Sequence, residues 1–160
     1  MMDNTSEIKS GQARSMLMKV CSTKEMCRND LEKKMDKWGL DTAEQGKILK
    51  YLEKEGFYSD RRFAESFVND KFKLQKWGRV KIKYALRAKS ISEEIINELL
   101  TDTKEYDYTG KLEELLNKKF LTLKPSGSKQ QTKARLFRFA AGRGFEPELI
   151  FRLINKLVGD

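Results

Sequence analysis

Apolar residues recur three and four positions apart along most of this chain, which is the spacing of one face of an α-helix. Runs that alternate apolar and polar residues, as half-buried strands do, are almost absent. The apolar stripes occupy residues 31–38, 48–52, 63–72, 82–86, 95–100, 136–140 and 149–157. The pattern therefore predicts an all-α protein.

Three segments of the chain follow one template: a basic helix, a glycine or serine followed by one apolar residue, a capping acid or hydroxyl, and a further apolar helix. The three turns read Gly39-Leu40-Asp41, Ser90-Ile91-Ser92 and Gly144-Phe145-Glu146. The glycine or serine is expected to end one helix, and the polar residue two positions later to cap the next. Equivalent positions lie about fifty residues apart, a length that holds three short helices.

The repeat predicts how the chain is organised. Residues 1–11 are expected to form a mobile N-terminal tail, followed by three-helix repeats at 12–58, 59–106 and 107–160. A repeat of this size buries little apolar surface alone, so neighbouring repeats should stack. The predicted fold is all-α, with three tandem three-helix repeats resembling helix-turn-helix units and stacked into an elongated, curved solenoid.

The chain contains no histidine and only two cysteines. Without an imidazole, Ser-His-Asp catalysis, Cys-His catalysis and histidine-ligated metal sites are excluded. Cys21 and Cys27 have no further cysteine nearby to complete a four-ligand zinc shell, so we expect reduced thiols that serve as small packing residues.

Other patterns that could carry chemistry are weak. Gly142-Arg143-Gly144 and Gly127-Ser128-Lys129 lack the G-x-x-x-x-G-K-[ST] spacing of a phosphate-binding loop. The pairs Glu93-Glu94 and Glu113-Glu114 stand at predicted helix starts, where negative charge favours the positive end of the helix dipole. We expect no catalytic residue, no cofactor and no metal, and therefore a protein that is not an enzyme.

The apolar segments are too short for a membrane protein. The first residues contain no apolar run after a basic start, and no stretch approaches ~18 consecutive apolar residues. A cytoplasmic protein without a membrane partner is expected.

Charge is distributed in blocks. Lys and Arg number 33 against 24 Asp and Glu, a formal charge of +9. Residues 71–89 and residues 117–143 each carry eight bases and no acid, whereas residues 90–116 carry eight acids and two bases. Each basic block falls on the middle helix of a repeat, which favours a polyanionic partner.

The two basic blocks supply the candidate binding residues. Arg79, Lys83 and Arg87 stand four positions apart, so they line one helix face and suit a row of phosphates. The other candidates are Lys76 in the first block and Lys133, Arg135, Arg138 and Arg143 in the second. The alternative is that these helices simply present a solvated face.

Three aromatic residues lie within these blocks: Trp77, Tyr84 and Phe137. Each suits stacking on an unpaired base, although an aromatic residue at helical spacing more often belongs to the core. With so few aromatic residues, contact with a nucleic-acid backbone is favoured over reading of sequence.

Two segments resemble the bacterial RecX regulatory proteins. Residues 60–68 (Asp-Arg-Arg-Phe-Ala-Glu-Ser-Phe-Val) are similar to the segment that opens the second repeat of that family, and residues 78–91 to its Gly-x-x-x-Ile-x-x-x-Leu-x-x-Lys-Gly-Ile segment. The matching residues are Asp60, Arg62, Phe63, Ala64, Gly78, Ile82, Leu86 and Lys89. Ser90 replaces the usual glycine, and Arg61 stands where the family usually has an acid. The resemblance covers roughly residues 13–158.

The resemblance implies a fold of tandem three-helix units, in agreement with the repeat. It also implies a function: binding along the groove of the RecA recombinase filament on single-stranded DNA, as a monomer, and modulation, mainly inhibition, of its ATPase, strand-exchange and co-protease activities. These activities belong to recombination, DNA repair and the SOS response. Contact with free DNA is left open.

A second hypothesis is a stand-alone helix-turn-helix DNA-binding protein that acts in transcription or DNA packaging. Such a protein needs a recognition helix with Asn, Gln or Arg side chains aimed at base edges in the major groove. The basic helices hold mostly Lys and Arg, which favours the first hypothesis.

Overall fold

The structure, a computed structural model, describes residues 4–101, 105–123 and 127–159, and within these ranges it contains nine helices and no strand. The all-α prediction is confirmed. The helices are α1 (Asn4–Thr23), α2 (Arg28–Lys37), α3 (Thr42–Lys54), α4 (Asp60–Lys73), α5 (Arg79–Ala88), α6 (Glu93–Thr101), α7 (Glu105–Thr122), α8 (Lys129–Gly142) and α9 (Pro147–Val158).

The first helix begins inside the segment predicted as a tail. Residues 4–11 belong to α1, whereas residues 1–3 lie outside the described residues. The first apolar residue of α1 with a described, buried side chain is Ala13, and Leu17 follows one turn later.

The repeated turns have the same backbone conformation. The residue that ends the basic helix has a positive φ in all three: 76° at Gly39, 58° at Ser90 and 88° at Gly144. The apolar residue after each turn is buried, namely Leu40, Ile91 and Phe145. Left-handed backbone at the helix end followed by a buried apolar residue is a common helix stop. It is the physical basis of the repeat.

Of the three residues with positive φ in these turns, Ser90 is the one that is not glycine, and a left-handed conformation is strained for an L side chain. Ser90→Gly should therefore raise the free energy of unfolding by about 1 kcal/mol, measured by chemical denaturation. The matched control is Ser92→Gly: Ser92 has no positive φ, and its hydroxyl accepts the N–H of Ile95 at 3.3 Å. The control should gain nothing. Equal stabilities for the two variants would contradict the assigned strain.

The chain divides into two compact units. The first comprises Met1–Phe67 and Arg87–Ile95, and the second comprises Val68–Leu86 and Ile96–Asp160. In the first unit, α3 packs against α1 and α2. The buried residues of this core include Leu17, Leu31, Met35, Leu49, Leu52 and Tyr58.

In the second unit, α7, α8 and α9 pack against one another around a separate core. Its buried residues include Tyr108, Leu112, Leu116, Leu136, Phe145, Ile150 and Ile154. Helix α8 starts with a capping box, because Ser128 Oγ accepts the N–H of Gln131 while Gln131 Oε1 accepts the N–H of Ser128. This cap fixes the start of the helix that carries the second basic block.

Candidate functional site

The start of α5 is held by a buried network in the second unit. The hydroxyl of Tyr108, a fully buried residue, accepts the backbone N–H of Arg79 at 2.9 Å and donates to the Glu146 carboxylate. The Arg79 guanidinium lies 3.9 Å from the centre of the Tyr108 ring and 3.3 Å from Glu146 Oε2. The N–H of Arg79 at the start of α5 is therefore bonded to a protein group and is not available to bind an anion.

The sequence pattern predicted Glu146 as the capping acid of the last helix; its position at the N-cap of α9 is confirmed, but the capping bond of its side chain is not formed. The carboxylate is used instead by the buried Tyr108 hydroxyl, which needs an acceptor. Burial, and next the bond to Glu146, raise the pKa of Tyr108, which keeps the phenol protonated as a donor.

Two glycines allow the backbones to meet beside this network. The N–H of Gly78 donates to Arg143 O at 2.7 Å, and the N–H of Val80 donates to Gly144 O at 2.9 Å. A Cβ at Gly78 would overlap the Gly144 carbonyl group, and a Cβ at Gly144 would overlap the backbone of Lys81. Only glycine fits at either position.

The three bases predicted to form one stripe on α5 have different surroundings. Side chains four residues apart on a helix differ in direction by about 40°. From Arg79 to Lys83 to Arg87, the side chain therefore points further away from the buried Ile82 and Leu86. Arg79, nearest to them, is engaged by Glu146, and both ends of the Arg87 guanidinium contact Glu93, at 2.5 and 3.1 Å. Lys83 is the member that makes no ion pair within the described part of the chain.

The opposite side of α5 exposes apolar groups. Tyr84 is 78% exposed and Val80, one turn earlier, is 51% exposed. They lie about 160° from Ile82, on the far side of the helix, with Lys83 beside them. We call Val80, Lys83 and Tyr84 the α5 face. Of the three aromatic residues that the sequence left open, Tyr84 is thus at the surface.

The other two aromatic residues are partly buried. The ring of Trp77 is contacted by Lys71 Nζ at 4.8 Å and by Lys81 Nζ at 4.3 Å. Phe137 packs against the core of the second unit and stacks on Phe151 at 4.7 Å between ring centres. For these two residues the structure favours a packing role.

The candidate binding residues of the second basic block lie on α8 and directly after it. Arg135 and Arg138 are exposed, and Lys133 Nζ is 3.1 Å from Asn155 Oδ1. Arg143 donates to Gln75 O at 2.9 Å and lies over the Phe139 ring, so it ties the turn after α8 to the segment before α5. Lys76, in that same segment, has a φ of 57°.

The residues that carry the family resemblance hold the fold together. In the first unit, Asp60 Oδ1 accepts the backbone N–H of Arg28 at 2.8 Å and so caps α2, whose own N-cap residue makes no side-chain bond. Arg62 donates to Gly56 O at 2.9 Å, where α3 has ended, and pairs with Glu25 at 3.2 Å. Both side chains connect α4 to the helices before it.

Asp60→Ala should lower the free energy of unfolding by about 1 kcal/mol, because it removes a charged cap from α2. Thermal or urea unfolding measures this loss. The matched control, Asp41→Ala, removes the cap of α3, where Asp41 Oδ1 accepts the N–H of Glu44 at 2.8 Å, and should cost a similar amount. A stability equal to that of the parent protein would contradict a capping role for Asp60.

The remaining matching residues also pack. Ala64, Ile82 and Leu86 are buried, and Phe63 is partly buried and stacks on Phe67 at 5.8 Å. Lys89 Nζ lies 2.6 Å from Asp30 Oδ1, in the first unit. None of these side chains points to a chemical site.

Cys27 is buried and Cys21 partly buried, and both are free thiols. Burial raises the pKa of Cys27 to about 11, so its reactive thiolate form is disfavoured at neutral pH. Among the described residues no cluster of three acids or cysteines is placed to hold a metal ion. Nor does any described helix have the length and apolar character needed to cross a membrane.

The second and third predicted repeats each match a known protein family. The family model for the second three-helix domain of RecX matches residues 59–100, and the model for the third three-helix domain matches residues 105–154. The regulatory protein RecX of Chlorobium phaeobacteroides (strain BS1) is 30% identical over 146 residues, which cover 91% of this chain and 93% of that protein. The regulatory protein RecX of Clostridium perfringens (strain 13 / Type A) is 27% identical over 132 residues. This alignment covers 82% of this chain and 61% of that longer protein.

A solved structure extends the comparison to the fold. The crystal structure of RecX from Lactobacillus salivarius matches with a TM-score of 0.82 at 18% identity, over 94% of this chain and 97% of that one. The predicted tandem three-helix repeats are thereby confirmed. The two family models together match more than half of the chain, and the Chlorobium relative is aligned along nearly its whole length. This chain therefore belongs to the RecX family of regulatory proteins.

Proposed function

We propose that this protein binds the RecA filament assembled on single-stranded DNA and inhibits its DNA-dependent ATPase, strand-exchange and co-protease activities. It would act as a cytoplasmic monomer in recombination, DNA repair and the SOS response. Family membership supports a regulatory role.

The observation that carries the proposal is the α5 face. An exposed tyrosine stands beside an exposed valine on a strongly basic helix, and neither side chain is buried in the core. Tyrosine is among the residues that contribute most at protein interfaces, and its ring also stacks on unpaired bases. Lys83 adds a charge that can contact a phosphate or a carboxylate.

A composite surface of this kind suits a filament that presents both protein and DNA. A reader of duplex sequence would aim Asn, Gln or Arg side chains at base edges, and the α5 face contains none of these three residue types. The acidic segment 90–116 is a further candidate for contact with basic groups of the filament.

Suppression of RecA's DNA-dependent ATPase tests the function itself. RecA is first assembled on single-stranded DNA with ATP, and the protein is then added at increasing ratios. Hydrolysis should fall at substoichiometric amounts, since a bound regulator affects neighbouring protomers of the filament. Hydrolysis that is unchanged at saturating protein would refute the proposal.

A further inference from the structure

A groove between α8 and α9 of the second unit is not used by the proposed function. It has a volume of about 540 Å³ and is open to solvent. Its walls are carbon-rich and come from Ala134, Phe137, Phe151 and Ile154. Phe151 is 54% exposed and stacks on Phe137, which forms part of the core surface beneath it.

The rim of the groove is cationic. Lys133 and Arg138 line it, and α8 as a whole carries four bases and no acid. The acid of α9 that lies closest in sequence to Phe151 is Glu148, which lines a different pocket together with Arg79 and Tyr108. The charge around this groove thus selects for an anionic partner.

The polar side chains that line the groove favour one kind of anionic partner over another. A nucleobase has several donors and acceptors on its edge, and each would need a partner once it is buried. The uncharged polar side chain available is Asn155, whose Oδ1 is already contacted by Lys133 Nζ. An apolar side chain leaves no such group unsatisfied.

We propose that this groove binds an acidic peptide segment of a partner protein, with a bulky apolar side chain inserted against Phe151 and flanking carboxylates paired with Lys133 and Arg138. This is the arrangement of an amphipathic segment in an apolar groove, with a hydrophobic centre and a charged rim. A second copy of this chain is disfavoured as the occupant, because it would bring two cationic rims together.

The proposal can be tested without RecA or DNA, so its outcome is separate from that of the proposed function. The probe is a fluorescein-labelled peptide of glutamate and alanine with two phenylalanines one helical turn apart. Comparison peptides replace the phenylalanines with serine, or the glutamates with lysine. Fluorescence anisotropy should show binding of the first peptide, and affinity lower by about tenfold or more for both comparisons.

Protein variants locate the binding. Phe151→Ser and Arg138→Glu should each weaken the first peptide by about tenfold. The matched controls Leu121→Ser and Arg152→Glu change an exposed apolar residue and an exposed base outside the groove, and should leave affinity unchanged. Absence of peptide binding, or equal loss in the controls, would overturn the proposal. So would an oligothymidine that competes for the groove, or a dimer that Phe151→Ser dissolves.

Discussion

Gly78→Ala should lower the free energy of unfolding by about 3 kcal/mol or more, a large change for a single methyl group. The added Cβ would overlap the backbone carbonyl of Gly144, which no side-chain rotation can relieve. The two backbone hydrogen bonds from Gly78 and Val80 would be lost as the segments separate, at about 1 kcal/mol each. Urea unfolding followed by circular dichroism gives the measurement.

Gly110→Ala is the matched control for that substitution. Gly110 lies within α7 of the same unit, and a Cβ there meets nothing within 4 Å. Alanine in a helix interior should stabilise by about 0.5–1 kcal/mol. Opposite signs for the two variants are therefore expected. If Gly78→Ala unfolds at the same urea concentration as the parent protein, the close approach of the backbones is wrong.

The second large effect concerns binding. A variant with Val80→Ser, Lys83→Glu and Tyr84→Ser should bind RecA-coated single-stranded DNA about a hundredfold more weakly, because it removes the apolar contacts and reverses the central charge. Its stability should be unchanged, since Val80 and Tyr84 are exposed. Inhibition of the RecA ATPase should shift to correspondingly higher protein concentrations.

A control variant changes groups of the same kind elsewhere. Leu121→Ser with Lys47→Glu alters an apolar residue that is 83% exposed and an exposed base on α3. It should bind and inhibit like the parent protein. Equal losses in both variants would indicate a general effect of charge, and unchanged binding in the α5-face variant would remove α5 from the interface.

Helix positions and turns could be predicted from sequence because they depend on local properties. The 3.6-residue spacing identified the apolar stripes, and the Gly39, Ser90 and Gly144 turns needed only the short-range preference for left-handed backbone at a helix end. The contacts of Glu146 could not be predicted. They depend on Tyr108, which is 38 residues away and which no local pattern connects to that cap.

The candidate binding residues were predictable only in part. Spacing placed Arg79, Lys83 and Arg87 on one side of a helix, but the ion partners Glu146 and Glu93 are properties of the folded chain. The exposure of Val80 and Tyr84 did have a sequence signal, because both fall opposite the Ile82 and Leu86 stripe on a helical wheel. The residues resembling the family contribute packing and caps, so their pattern reports on the fold.

The central claim is that this protein recognises the RecA filament rather than DNA alone. The most direct test is a titration of the fluorescently labelled protein with RecA-coated single-stranded DNA, held by a non-hydrolysable ATP analogue, and in parallel with bare single-stranded DNA, duplex DNA and free RecA. We expect the filament to bind about tenfold or more tightly than any of the other three. Equal affinity for bare DNA, or strong preference for one duplex sequence, would contradict the claim.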